Sequence, residues 1–312
     1  MIKYLIRRVI QFLPAILGVI IITFSLGYLG PGDPLKYQLG EQLPSDPQQL
    51  ARLRAYYGLD RPFLVQLGDY VVKLTQGDMG KSISVQPKRQ VEDMLGKGLL
   101  VSMQLGGAAM FLIALIGIPL GVLAAYKQNT LIDYLIVSSS AILPTIPVFV
   151  LSPLLLILFV LKLDILPHSF GWKGIFDSRA ILPVFILLIG PLLTVVRQTR
   201  GGVLEVLSQD YVRTARAKGL AERRVLIRHV LRNALTPVVT SIGFIAAGLL
   251  TGSLFVESIF GIPGFGGLFY SALRAYDYPV ILGTTLVSAL IMMGSNLIVD
   301  VLYGILDPRV RR

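Results

Sequence analysis

The chain has 312 residues, of which 54% are hydrophobic and only 15% are charged, and its mean hydropathy is +0.71. A soluble domain of this length needs more polar surface than this composition supplies. The apolar residues come in runs of about 20, the length that crosses roughly 30 Å of hydrocarbon. The composition therefore indicates an all-α integral membrane protein. The absence of cysteine excludes disulfides, thiolate metal sites and thiol nucleophiles.

The apolar runs predict six membrane spans and three regions. Residues 1–29 form the N-terminus and the first span, residues 30–98 lie outside the membrane, and residues 99–312 form a core with five more spans and one long loop. The fourth apolar run has only 16 residues, about 24 Å of helix, so we expect this helix to extend through its flanks. The six spans cover residues 9–29, 99–125, 135–161, 181–196, 234–256 and 280–302.

Proline and glycine are frequent within these spans. Pro144, Pro147 and Pro153 interrupt the third span, where neighbouring helices or water must satisfy the freed backbone groups. Gly117 and Gly121, four residues apart in the second span, permit another helix to approach closely. The density of such residues favours a bundle whose helices shift against one another.

The distribution of charge predicts the orientation. A net charge of +11 would suggest a nucleic-acid partner in a soluble protein, but no nucleic acid is expected here, because the charge follows the membrane topology. The N-terminus, the 126–134 turn, the 197–233 loop and the C-terminus hold 16 Lys and Arg residues. The opposite side holds four when the long 30–98 segment is left out. Loops rich in Lys and Arg stay in the cytosol, so both termini are predicted to be cytosolic.

The 30–98 segment is too long for a turn and predicts two short helices. The first is capped at Ser45-Asp46-Pro47 and ends at Gly58, and the second opens at Asp60-Arg61-Pro62 and stops at Gly77. The helices either lie on the bundle or the membrane surface, or they shape an outer vestibule or meet an external partner. The second helix is predicted to place six residues on one apolar face, namely Phe63, Leu64, Leu67, Tyr70, Val71 and Leu74.

The 197–233 loop carries nine Lys and Arg residues and three acids between two apolar spans. Asp210 is predicted to cap a short helix over 211–218, and Gly219 to end that helix in a left-handed conformation. Glu222 then starts a second helix that continues into the fifth span. A loop whose positive charge served only to keep it in the cytosol would need neither Gly219 nor the helix-forming segments on either side of it. The loop therefore indicates a device that docks a cytosolic partner onto the membrane protein.

This loop resembles the EAA loop of permease subunits in ABC importers, most closely the dipeptide, oligopeptide and nickel class. The family pattern is Glu-Ala-Ala, three residues and then Gly, and here Arg213-Thr214-Ala215 and Gly219 take those positions. The acidic first residue is missing, so a role that rests on its carboxylate is not carried over. Other segments extend the resemblance over nearly the whole chain: Gly30-Pro-Gly-Asp-Pro34, Gly77-Asp78-Met-Gly80-Lys-Ser82, Val256-Glu-Ser-Ile-Phe260, Pro263-Gly264-Phe-Gly266, Asp277-Tyr-Pro279, Asn296-Leu-Ile-Val-Asp300 and Leu306-Asp-Pro-Arg309.

The resemblance implies a six-helix permease in the plasma (inner) membrane of a bacterium or archaeon, surrounded by lipid. A similar second permease subunit would form the other half of the translocation path. Two cytosolic ATPase subunits would bind below, and an extracytoplasmic solute-binding protein would deliver the substrate. The loop would provide the coupling helix, a short helix that rests in a groove of the ATPase.

The resemblance also assigns roles within the coupling helix. Apolar docking contacts would come from Tyr211, Val212, Ala215 and Leu220. Polar contacts would come from Arg213, Arg216 and Lys218, and the coupling set is completed by Thr214 and Gly219.

The sequence contains no Gly-x-x-x-x-Gly-Lys-Ser/Thr phosphate loop, so we expect no ATPase site and no cofactor in this chain.

Two other classes of membrane protein compete with the interpretation as a transport subunit. An intramembrane hydrolase needs a catalytic His in a span, but His168 and His229 fall in loops. An ion-coupled carrier or channel needs charged residues at mid-membrane. Asp300 lies near the cytosolic end of the last span and Glu257 at the outer end of the fifth, so we expect both to cap or pair locally.

The sequence defines the substrate path less well. Gln104, Ser288 and Asn296 are polar residues within spans that would either line a cavity or bond neighbouring helices. Peptides are the favoured cargo of the resembled class, and nickel or another small solute, such as a glycoside, is the alternative. The resemblance implies that specificity lies largely with the external binding protein.

Overall fold

A computed structural model describes residues 2–29, 35, 46–168 and 170–306. The 30–34 motif, Ser45 and residues 307–312 lie outside the described residues. Short 3₁₀ or π-helical segments cover Leu143–Thr145, Ile157–Lys162, Ser178–Ala180 and Leu226–Val230. The described α-helices are α1 (Ile2–Leu29), α2 (Pro47–Tyr57), α3 (Phe63–Thr75), α4 (Val91–Tyr126), α5 (Leu131–Ile142), α6 (Val148–Leu156), α7 (Ile181–Leu207), α8 (Asp210–Ala217), α9 (Glu222–Val225), α10 (Leu231–Ala234), α11 (Thr236–Leu250), α12 (Leu254–Ile259), α13 (Phe265–Arg274) and α14 (Tyr278–Leu306).

Within the described residues, five stretches are long and apolar enough to cross a membrane, and a bent pair makes six if it crosses as one unit. α7 continues from Ile181 to Leu207, which confirms that the short fourth run extends through its flanks. α4 begins at Val91, well before the predicted boundary at residue 99, and has 36 residues. α11 and α12 together form the fifth stretch, with a short break between them.

The third predicted span is broken in the structure, at the prolines that the sequence analysis places within it. Its two halves, Leu131–Thr145 and Val148–Lys162, meet at an angle of 102°. Pro144 lies in the 3₁₀ turn at the break, and Pro147 follows Ile146, whose backbone is extended. Proline removes a helical hydrogen-bond donor and disfavours helical conformation in the preceding residue, so two prolines three residues apart end one helix and start another.

α4 and α7 form the most extensive helix pair among the described residues. A Cβ atom on Gly121 would lie 2.7 Å from the Val196 carbonyl oxygen and 2.6 Å from the Thr199 Cβ. A Cβ on Gly117 would lie 3.1 Å from the Val195 side chain. The predicted close approach at these two glycines is therefore confirmed, and α7 is the helix that approaches.

An ion pair fixes the end of the bundle that carries the 197–233 loop, hereafter the basic end. The Arg200 guanidinium donates to both carboxylate oxygens of Asp133, at 2.6 and 2.8 Å, and the Asn129 amide donates to the same carboxylate at 3.0 Å. Asp133 is buried. Removal of one partner of such a pair leaves an uncompensated charge, so the pair fixes the start of α5 against α7.

The segment 46–90, hereafter the first loop, lies at the opposite end. The Asp46 side chain accepts from the Gln48 amide at the start of α2, and Gly58 ends that helix in the left-handed conformation, as predicted. In α3, the rings of Phe63 and Tyr70 pack against the ring of Phe24 in α1, the first edge-on and the second tilted. Burial raises the pKa of the Tyr70 hydroxyl.

One residue of the predicted apolar face of α3 is misplaced. Leu64 is 75% exposed, whereas Phe63, Leu67, Tyr70, Val71 and Leu74 are half-buried. α3 therefore lies on the bundle through a narrower face than the pattern predicts. Together with the adjoining ends of α1 and α14, the helices of the first loop also line a cavity of about 760 Å³.

The buried carboxylate of Asp277, just before α14, holds the first loop onto the bundle. It accepts from the Ser82 hydroxyl at 2.6 Å and from the Ser84 and Val85 amides at 2.9 Å each. The Ile83 amide adds a longer bond of 3.2 Å. The two motifs at 77–82 and 277–279 thus meet at one anchoring point.

We predict that Asp277→Asn lowers the unfolding free energy by about 2 kcal/mol. The NH2 group of asparagine would face N–H or O–H groups of the first loop that now donate to the carboxylate, so hydrogen bonds would be lost. The measurement is the thermal unfolding midpoint in detergent, with limited proteolysis of the first loop. Asp69→Asn is the matched control, because its ion pair with Arg61 is half-exposed and contributes little. Equal midpoints for the two variants would contradict the anchoring role.

Candidate functional site

The 197–233 loop folds as a helix, a sharp turn and a second helix, as the sequence predicts. α8 follows α7 after a two-residue connection, and Gly219 ends α8 with a φ of 75°. Glu222 starts α9, which continues through a π-helical turn at Leu226–Val230 into α10 and α11. The loop is therefore continuous with two long helices of the bundle.

The prediction that Asp210 caps this helix is wrong. Gln209 has the extended backbone of an N-cap residue, and Asp210 is the first residue inside α8. The Asp210 side chain is 96% exposed and forms a loose ion pair with Arg213 at 3.6 Å. A carboxylate in the first turn still interacts favourably with the helix dipole, which is why an acid suits this position as well as the capping position.

The inward face of α8 packs on the helix bundle of this same chain. Val212 is fully buried and Ala215 is 5% exposed, in a cluster with Val203, Val206 and Val225. Leu220 is half-buried against the same cluster. The expectation that Val212, Ala215 and Leu220 offer apolar contacts to an ATPase is therefore wrong for the first two and limited for the third. These side chains instead fix α8 to α7 and α9.

The outward face of α8 is polar and exposed. Arg213 is 72% exposed, and its neighbours on this surface are also exposed. The Thr214 hydroxyl donates to the Asp210 carbonyl within the helix, so it is already satisfied. The exposed members of the predicted coupling set are Tyr211, Arg213, Thr214, Arg216, Lys218 and Gly219. This face carries three cations and is a surface of the loop that a partner can reach.

Polar contacts attach α8 at two further points. The Arg216 guanidinium donates to both oxygens of Glu222, at 2.6 and 3.1 Å, across the turn at Gly219. The Tyr126 hydroxyl, at the end of α4, donates to Glu222 at 2.9 Å. The Asn233 amide donates to the Tyr211 hydroxyl at 2.7 Å. The bonds from Arg216 hold the pKa of the Glu222 carboxyl below its usual value, so Glu222 is ionised at neutral pH.

Tyr126, Arg216 and Glu222 form a set of contacts, which we name the clamp, that the sequence does not predict. Tyr126 lies 96 residues before Glu222, at the end of a predicted span, where a tyrosine is common at a membrane interface. The i, i+6 spacing of Arg216 and Glu222 matches no helical face, because a turn separates them. No local pattern identifies such a contact.

The acids at the span ends pair locally, as predicted. Glu257 is fully buried, accepts from the Ser102 hydroxyl at 2.6 Å and accepts from the Gly267 amide at 2.8 Å. Asp300 pairs with Arg8 of α1 at 2.7 Å. These contacts connect helices of the bundle.

The three predicted substrate-path residues lie on two helices and differ in exposure. Gln104 is exposed on α4, whereas Ser288 and Asn296 are half-buried on α14. None of the hydrogen bonds of the described residues joins them. Their role therefore stays a prediction.

Two family models match the chain. The model of the binding-protein-dependent transport system inner membrane component covers residues 117–312, which include the whole loop. The model of the N-terminal membrane component of these systems covers residues 1–88.

Curated relatives match over the full length. The chain is 38% identical to the dipeptide transport system permease protein DppB of Bacillus subtilis (strain 168), over 100% of this chain and 98% of the relative. It is 38% identical to the oligopeptide transport system permease protein OppB of Escherichia coli (strain K12), over 100% of both chains. It is 39% identical to DppB of Lactococcus lactis subsp. cremoris (strain MG1363), again over 100% of both. The chain thus belongs to the family of inner membrane components of binding-protein-dependent transport systems, the permease subunits of ABC importers.

Proposed function

We propose that this chain is a permease subunit of an ATP-driven importer of dipeptides or oligopeptides. The support is the identity of 38% over the full length to relatives whose names specify dipeptide or oligopeptide transport. In this proposal the chain forms half of the translocation path. A similar second permease forms the other half, and an extracytoplasmic solute-binding protein delivers the peptide.

We also propose that two cytosolic ATPases supply the energy through α8. The observation that carries this proposal is the division of α8 into two faces: Val212 and Ala215 fix one face to the bundle, and Arg213 lies on the exposed other face. A short helix that is held rigidly from behind transfers a displacement of its partner to the helices that carry it.

The orientation is a further part of the proposal, with the 197–233 loop and both termini in the cytosol. Because the chain has no cysteine, Gln49→Cys in α2 and Ser208→Cys before α8 each provide a single labelling site. We predict that a membrane-impermeant maleimide labels Gln49→Cys in intact cells and labels Ser208→Cys in inverted membrane vesicles. Labelling of both positions from the same side would refute the orientation.

The turn at Gly219 provides a test of coupling. A side chain with a branched Cβ is strained at a φ of 75°, at a cost of at least 1–2 kcal/mol, so Gly219→Val is expected to displace the end of α8. We predict normal membrane insertion and at least a several-fold loss of ATP-driven peptide uptake in reconstituted vesicles.

Gly201→Val is the matched control for this turn, because Gly201 is helical, exposed and has open space around its Cβ position. Native uptake in the Gly219→Val variant would refute the assigned role of the turn.

The source of energy provides another test. We predict that the purified chain alone hydrolyses no ATP and drives no uptake, and that adding the second permease, the ATPases and the binding protein produces both. Sustained ATP hydrolysis by the single chain, free of other subunits, would overturn the proposal.

The exposed face of α8 provides a test of docking. Arg213→Glu should weaken ATPase association several-fold, because it reverses a charge on this face. Arg311→Glu, near the C-terminus, is the control.

A further inference from the structure

The clamp connects the coupling loop to a helix that does not adjoin it in the sequence. Glu222 accepts two bonds from Arg216, on the last turn of α8, and one from Tyr126, the last residue of α4. α8 adjoins α7 and α9 through the backbone, so the clamp adds an attachment to a third helix. α4 has 36 residues, about 54 Å at 1.5 Å per residue, and it reaches the first loop at its other end.

α4 packs closely on α7 over the half next to the clamp. A Cβ atom on Gly121 would overlap the Val196 carbonyl oxygen, and a Cβ atom on Gly117 would lie in tight contact with Val195 of α7. Pro119, between these glycines, removes a backbone hydrogen bond within α4, so the stiffness of this stretch depends on its contact with α7. The Asp133–Arg200 ion pair closes the same assembly at the basic end.

The far half of α4 reaches a second polar cluster. The Ser102 hydroxyl donates to Glu257 of α12 at 2.6 Å and accepts from the Phe265 amide of α13 at 2.8 Å. Glu257 also accepts from Gly267, so one carboxylate holds α4, α12 and α13 together. A side chain at Gly264 would overlap the Glu257 carboxylate, which shows how closely α13 packs on this group.

We propose that Tyr126 and Glu222 are positioning residues that make α4 a lever between the coupling helix and the Glu257 cluster. This inference rests on the proposed function. When the ATPases displace α8, the clamp makes the end of α4 follow, and α4 passes the displacement to α12 and α13 at the opposite face. α7 supports this lever along its length.

The exposure of the clamp indicates that it matters for coupling more than for folding. The Arg216 and Glu222 side chains are 42% and 49% exposed, and ion pairs of this kind contribute little to stability in water. A partner docked on the exposed face of α8 excludes water from this region and strengthens the interaction. The effect of the clamp is therefore greatest in the assembled transporter.

The first measurement uses the complete complex in proteoliposomes and determines the number of trialanine molecules imported per ATP hydrolysed. Tyr126→Phe and Glu222→Gln should each lower this ratio about threefold, the effect of one lost hydrogen bond, while the ATPases stay bound. A charge exchange is tested in a Tyr126→Phe background. There, the double variant Arg216→Glu with Glu222→Arg restores an ion pair of reversed direction. It should import clearly more trialanine per ATP than either single reversal in the same background. Tyr134→Phe and Glu205→Gln are exposed matched controls and should keep the native ratio.

The second measurement tests whether α4 and α8 move as one body. Spin labels at Ala217→Cys on α8 and Asp93→Cys at the start of α4 report the distance along the lever, and both positions are exposed. We expect this distance to stay unchanged on ATP binding in the native background and to shift or broaden in Glu222→Gln.

Three outcomes would overturn the lever. These are native import ratios in both clamp variants, an ATP-dependent distance change in the native background as large as in Glu222→Gln, or loss of ATPase binding that the charge exchange does not repair. The last outcome would show that these side chains contact the ATPase instead of each other. Absence of ATP-driven trialanine import by the native complex would count against the proposed function itself, and the distance measurement would still test the lever.

Discussion

The close contact between α4 and α7 is the constraint on which the rest of the bundle depends. Without side chains at Gly117 and Gly121, the two backbones approach until the Val196 carbonyl leaves no room for a Cβ atom. Apolar burial gives no preference between helix neighbours in a membrane, because lipid tails are as apolar as leucine. Close packing and polar contacts must select the partner, and here the glycine contact is joined by the Asp133–Arg200 ion pair at its basic end. The position of α8 follows, because α7 leads directly into it.

Three buried acids connect other parts of the bundle to one another. Asp133 fixes α5 to α7, Glu257 joins α4 to α12 and α13, and Asp277 holds the first loop. Burial of a carboxylate is unfavourable unless several donors surround it, and each of these groups accepts at least two hydrogen bonds. Each carboxylate accepts at least one of these bonds from a segment far away in the sequence. Each acid is therefore a specific junction between distant parts of the chain, which apolar surface alone would not specify.

Local signals predicted most of the secondary structure and little of the packing. The apolar runs, the prolines at 144 and 147 and the glycine at 219 act within a few residues, so the sequence identifies the helices, the site of the break and the end of α8. The angle at that break depends on neighbouring helices. The long-range bonds of the clamp and of the acid junctions join residues about 70 to 195 positions apart, and no pattern in a single sequence records such pairs. Leu64 was misplaced for a related reason, since periodicity cannot set the width of a buried face.

Val212 and Ala215 show how the apolar pattern of a short exposed helix such as α8 can be assigned to the wrong partner. Their spacing defines one face of α8 but does not say whether that face meets an ATPase or the permease. A helix that transfers motion needs one face bound firmly to the body that must move and another face free for the partner. Binding through the apolar face is the stronger arrangement before any partner arrives, because it removes Val212 from water in the permease itself. In the proposed function, the polar face with Arg213 on it is then free to form and break contacts with an ATPase.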